Sequence, residues 1–161
     1  MRKLGIATAF AVAAVAVATA SALATTSTKI VPFTAKYSGT AVVNINDQVA
    51  NISATGTGTG TLLGTGKITG TGKGDTTQQP CVPFNGPGFL AGTGGKLLFT
   101  VIAGSQGCGD EGGQIFSIVG KAKITKGTGK LLKAKGTLKF TGVYDRGAGT
   151  FSVKFKGSLT F

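Results

Sequence analysis

From Leu132 to Phe161 the chain alternates between two kinds of side chain, and a period of two admits one local structure, the half-buried β-strand. Leu132, Ala134, Gly136, Leu138, Phe140 and Gly142 share one parity, and Lys133, Lys135, Thr137, Lys139 and Thr141 the other. After the glycine-bearing turn Asp145-Arg146-Gly147-Ala148-Gly149 the alternation resumes. Phe151, Val153, Phe155, Gly157, Leu159 and Phe161 then face Ser152, Lys154, Lys156, Ser158 and Thr160. Two such runs joined by a short turn predict a β-hairpin.

The same pattern recurs upstream. From Ile30 to Ile45, Val31, Phe33, Ala35, Tyr37, Gly39, Ala41, Val43 and Ile45 share one parity, and Gly39 predicts a bend or bulge. Asn46-Asp47-Gln48 makes a turn. Val49–Thr61 and Leu62–Lys73 read as two strands in spite of their glycine content, because threonine favours strands and Ile52, Leu62, Leu63 and Ile68 supply a core. Thr55, Thr57, Thr59 and Thr61 form a row spaced about 6.6 Å, two strand rises. Lys96–Ala103 and Gln114–Lys126 are further strands, the latter with Phe116, Ile118, Gly120, Ala122 and Ile124 inward. Lys96–Ala103 is apolar on both sides, which predicts cover on both or a place beneath the long loop. Gly74–Gly95 has no period and holds three of the four prolines, so it reads as a long loop tethered through Cys81. About eight sequential strands predict an all-β fold, an antiparallel eight-stranded barrel, with a two-sheet β-sandwich as the alternative. Inward glycines favour the barrel, whose curvature needs positions without a side chain.

The segment Ile124-Thr125-Lys126-Gly127-Thr128-Gly129-Lys130-Leu131-Leu132-Lys133-Ala134-Lys135-Gly136 resembles the Gly-Gly-Thr-Gly-x-aromatic-x-x-Ala-x-Gly segment of dirigent proteins and the allene oxide cyclase barrel superfamily. It is also similar to the ending of small secreted bacterial β-barrel proteins. Lys126 replaces the first glycine of that pattern, and Leu131 stands where an aromatic is usual. The resemblance implies an eight-stranded barrel able to hold an apolar ligand. It carries over no catalytic residue.

Met1-Arg2-Lys3, the apolar run Leu4–Ala18 and the small residues Ser21-Ala22-Leu23-Ala24 predict a secretory signal peptide over 1–24. One barrel domain is expected over 25–161, secreted to an extracellular or periplasmic location. Export places Cys81 and Cys108 where thiols oxidise, so one disulfide is expected. Loop-closure entropy values it at roughly 3 to 4 kcal/mol. The formal charge is +12, and +10 once Arg2 and Lys3 are removed, which favours anionic partners.

There is no histidine, so the commonest general base is missing and no metal site or cofactor is expected. All five acids, Asp47, Asp75, Asp110, Glu111 and Asp145, sit in turns or loops, where turn chemistry explains them. The Gly-Thr-Gly-Lys segments at 64–67, 70–73 and 127–130 lack the helix that a phosphate loop requires.

Two features suit binding. Lys121, Lys123, Lys133, Lys135, Lys139, Lys154 and Lys156 face outward on three sequential strands and predict one basic surface, with Lys29 and Lys36 off it. Phe116, Phe140, Phe151, Phe155 and Phe161 face inward, where a cavity closed by the proline-rich loop is expected rather than a solid core. With its aromatics inward, the chain lacks the stacking platforms of a nucleic-acid binder. The leading expectation is a non-catalytic binding protein that holds a small apolar ligand or attaches to an anionic polysaccharide or lipid surface of the envelope. The alternative is a dirigent- or cyclase-like barrel that steers a reactive intermediate.

Overall fold

The computed structural model describes residues 28–161, so the signal segment expected over 1–24 lies outside the described residues. Nine strands follow in order: β1 (Ile30–Asn46), β2 (Val49–Gly60), β3 (Gly64–Asp75), β4 (Cys81–Gly92), β5 (Gly95–Val101), β6 (Gln106–Gly109), β7 (Ile115–Gly127), β8 (Gly136–Asp145) and β9 (Thr150–Thr160). Every pairing is antiparallel, and the sheet closes through β1–β9 and β3–β4 into a barrel rather than a sandwich. β6 brings the count of strands to nine but is not a ninth stave. It pairs with β4 and β7, the neighbours of β5, with its register two residues on, so β5 and β6 form one stave broken at 102–105.

Ser105 holds that break together. Its side chain is buried, its hydroxyl donates to the Ile102 carbonyl at 2.8 Å, and its Oγ accepts the Lys121 N–H at 3.1 Å. Buried backbone groups freed by a break must find partners, and one serine supplies two of them. The cross-strand disulfide Cys81–Cys108 joins β6 to β4 at directly paired positions.

Several expectations need correction. Gly74–Gly95 is not a loop or a lid, because most of it is β4, a stave of the wall. β4 has no ladder contact with β3 between Gly70–Gly88 and Lys73–Asn85, where Pro87 has no N–H to donate. The strand expected to start at Leu132 starts at Gly136. Before it come a 3-10 turn at Gly129–Leu131 and a positive φ of 69° at Lys133, which reset the parity. Leu131 is therefore buried and Leu132 is 62% exposed, the reverse of the alternation, and Lys133 and Lys135 lie outside the strand. Gly39 makes no bulge, since it keeps register with both Gly56 and Phe151; the irregularity falls at Leu98/Phe99. A Cβ at Gly39 would lie 2.1 Å from the Thr55 carbonyl oxygen, so close backbone approach explains that glycine. Among the described residues no loop covers the outer side of β5, where Leu98 pairs with Phe89 and the Lys96 ammonium sits 4.3 Å above the Phe89 ring.

Inward side chains are apolar, whereas the outward ones are largely Thr, Ser and Lys, the reverse of a membrane-spanning barrel. Among the described residues no helix is long and apolar enough to cross a membrane. The core is concentrated at one end of the barrel, where Phe33, Leu63, Leu90, Leu97, Leu131, Leu138 and Leu159 are buried to 1% exposure or less. This is the closed end.

Candidate functional site: an apolar cup with an open mouth

The inward residues at the other end are smaller and further apart, and they enclose an apolar cavity of about 420 Å³. Phe99, Phe140 and Phe155 form its floor, with ring centroids 5.9 Å (Phe99–Phe155) and 5.7 Å (Phe140–Phe155) apart. Phe84 on β4 leans on Phe140 at 6.2 Å, so the proline-rich segment contributes to the cavity as wall. Ala41, Val43, Ala50, Ile52 and Ala54 line the β1–β2 side, and Phe116, Ile118 and Phe151 the opposite side. Phe116 stacks against Tyr144 at 6.2 Å near the mouth. A volume in the few-hundred Å³ range with apolar walls and a few polar groups is what small-molecule pockets show.

Of the five phenylalanines expected inside, Phe116, Phe140, Phe151 and Phe155 line the cavity. Phe161 instead packs, partly buried, against the core. The lining residues that the alternation does not single out are the small ones. Gly70 is the clearest: a Cβ built there meets only the Pro87 carbonyl oxygen, at 3.8 Å. Elsewhere an inward glycine marks filled space, since a Cβ at Gly120 would lie 2.4 Å from the Phe140 ring and 2.4 Å from Ser105 Oγ.

The mouth is polar. Thr76, Gln79 and Arg146 reach it, and Arg146 is the charged side chain in the lining. Three of the acids are occupied in turns around it. The Asp75 carboxylate accepts the Thr77 hydroxyl at 2.6 Å and the Thr77 N–H at 3.0 Å, and these bonds hold its pKa below the usual carboxylate value. Asp110 accepts the N–H of Gln114 at 2.8 Å, and Asp145 that of Ala148 at 2.9 Å. Tyr37 lies buried beside Phe155 with its hydroxyl unpartnered, and burial raises its pKa.

On the outside, Lys121, Lys139 and Lys156 fall in line across β7, β8 and β9. Lys123 and Lys154 flank that row, one pair-step towards either end. Lys133 does not belong to this wall, since it sits in the turn at the closed end, whereas Lys135 bridges to Thr160 in the β8–β9 register and continues the wall towards that end. Lys36, expected off the face, is on it, because β1 returns to pair with β9 and sets Lys36 directly opposite Lys154. The threonine row of β2 is also extended by its neighbours, with Thr40, Thr55 and Thr69 in one line and Lys36, Thr59 and Thr65 in another. Like charges directly opposite one another on a sheet are destabilising, so the lysine wall is held at a small cost in stability.

Comparison of the chain with family models, with curated proteins and with solved structures finds no match.

Proposed function

We propose that this barrel is an extracellular binding protein that holds a small apolar molecule in the open half of its interior. The observation that carries the reading is the cavity, about 420 Å³ with an aromatic floor and aliphatic walls, open beside Arg146 and Gln79. Burial of apolar ligand surface there contributes about 25 cal/mol per Å² before the costs of association. The disulfide supports the extracellular part of the reading, since such bonds persist in oxidising compartments.

The test is a plug. Gly70→Leu adds a side chain where the wall has room for a Cβ and the space beyond it is the cavity. An apolar fluorescent dye is expected to bind the parent protein at one site and to lose that site in Gly70→Leu, with the melting temperature unchanged or higher. A dye that binds both proteins equally refutes the cavity as the site.

A second reading rests on the line Lys121–Lys139–Lys156 and its extension through Lys154 and Lys36. In it, the protein attaches to an anionic surface of the envelope. Exposed charges are screened beyond about 10 Å at 0.1 M salt, so such attachment is expected to weaken steeply as salt rises.

A further inference from the structure

The acidic side chains of the barrel are gathered at one end of its axis, where Lys73 and Arg146 are the basic residues beside them. All five carboxylates lie at the mouth end: Asp47 in the β1–β2 turn, Asp75 at the end of β3, Asp110 and Glu111 in the β6–β7 turn, and Asp145 at the end of β8. The closed end carries Lys29, Lys96, Lys126, Lys130, Lys133 and Lys135 and, among the described residues, no acidic side chain. A field of this kind turns one end of the molecule towards an anionic surface and the other away from it.

The closed end also presents two leucines that its own packing does not use. Each of two turns there contains a Leu-Leu pair and buries one member. In the β2–β3 turn Leu63 is fully buried while Leu62 is 43% exposed; before β8, Leu131 is buried while Leu132 is 62% exposed. Leu62 is held outward at a φ of +69°, a region that costs a branched residue energy. The two turns are tied together through the β4–β5 turn. The Gly94 N–H donates to the Leu63 carbonyl at 3.0 Å, and the Gly94 carbonyl accepts the Lys130 N–H at 3.0 Å. Two exposed leucines thus sit on one stitched tip among Lys126, Lys130 and Lys133. On the lysine wall the residues between the lysines are threonine and serine, and its exposed apolar side chains, Val119 and Val143, lie beyond the row towards the mouth.

We propose that the closed end docks on an anionic lipid bilayer, with Leu62 and Leu132 entering the interface, basic side chains on the head groups and the cavity mouth opening towards water. The proposal rests on the anionic-surface reading and adds to it the lipid, the orientation and the residues. Charge alone would suit any polyanion; exposed apolar side chains among the lysines suit a bilayer, where burying each leucine and neutralising each lysine add up. In this pose ligand exchanges from the aqueous side.

The chain contains no tryptophan, so a single introduced one reports its own surroundings. Leu132→Trp is compared with Val42→Trp, an exposed position on the mouth half of β1, using phosphatidylglycerol-containing and pure phosphatidylcholine vesicles. With the anionic vesicles, Leu132→Trp is expected to shift to the blue and to gain protection from an aqueous quencher, and Val42→Trp to do neither. Leu62→Ser with Leu132→Ser is expected to weaken sedimentation with those vesicles by roughly tenfold or more. Lys130→Gln, Lys133→Gln and Lys135→Gln are expected to weaken it roughly fivefold each. Sedimentation with neither tryptophan protected, or with both protected alike, overturns the end-on pose and leaves the wall as the contact. Vesicle binding unaffected by the double serine variant overturns the role of the leucines. Absence of binding to anionic vesicles even at low salt removes the anionic-lipid surface altogether.

Discussion

Truncating the cavity floor and its rim separately tests whether the barrel is half packed and half hollow. Phe140 is 5% exposed, lies against Phe84 and Phe155, and fills the space left by Gly120. Phe140→Ala removes a packed ring from a core, which costs about 3 to 5 kcal/mol. Because part of the ring already borders empty space, the lower end, about 3 kcal/mol, is expected. Phe116 lies only partly buried near the mouth, where its defined partner is Tyr144 at 6.2 Å. Phe116→Ala is expected to cost about 1 kcal/mol, the worth of an aromatic pair with a little burial. Urea unfolding followed by far-ultraviolet circular dichroism separates them. At 1 to 3 kcal/mol per molar of urea, Phe140→Ala should move the midpoint by roughly 1 to 3 M and Phe116→Ala by about a third of that. Dye affinity should move in both variants. Equal losses of stability would refute the division into a packed floor and an open rim.

Reduction, or Cys81→Ser with Cys108→Ser, should lower stability by roughly 3 to 4 kcal/mol, measured by thermal melting, because β6 then depends on its short ladders alone. Tyr37→Phe should leave stability unchanged or raise it by about 1 kcal/mol, since it removes a buried hydroxyl that has no partner. Burial places the folded pKa of Tyr37 above its unfolded value near 10. Stability should therefore fall as pH rises from that value through the folded one, and Tyr37→Phe should lose this alkaline component in melts above pH 10. Asp75 behaves in the opposite sense. Its folded pKa lies below the unfolded value of about 3.9, so the stability from its turn is present above that value and lost as pH falls through the folded one. Thr77→Val removes the hydroxyl bond and should raise the Asp75 titration midpoint, read by carboxyl-carbon NMR.

Where a strand carries an uninterrupted period of two, its facing can be read from the chain. Phe33, Ala35, Tyr37 and Ala41 on β1 and Val153, Phe155 and Leu159 on β9 are buried as their parity requires. The reading failed where the period was masked. β4 contains Pro83, Gly86 and Pro87, which weaken any strand signal, yet flanking strands hold it through the hairpin pair Leu90–Leu97 and the more distant pair Ile68–Leu90. It failed again at Leu131 and Leu132, where the parity that Ala134 and Lys135 still share with β8 was carried back through a turn that does not preserve it. The place of Lys36 was hidden for a different reason. Parity states which face a residue occupies, whereas its neighbours are set by register between β1 and β9, segments more than a hundred positions apart.

The position of the cavity was hidden for that second reason, and glycine shows why. On β2, Gly58 and Gly60 face inward, but a Cβ at Gly58 would lie 2.7 Å from the Tyr37 ring and one at Gly60 3.5 Å from Phe33. Gly58 is matched to Tyr37, and Gly60, opposite Ala35, is closed in by Leu63 and Phe33, so the space is full. Further along the same pair of strands the matches are Ala41 with Ala54 and Val43 with Ile52, and beyond Ala54 stands Gly70. Small side chains there meet other small side chains, so the barrel's fixed circumference leaves a void at that height. An inward glycine thus marks packing at Gly58 and emptiness at Gly70, and only the residue across the ladder tells them apart. It follows that a large residue at position 54 or 70 would turn the open half into something like the closed one, whereas the same change at Gly58 would collide with Tyr37.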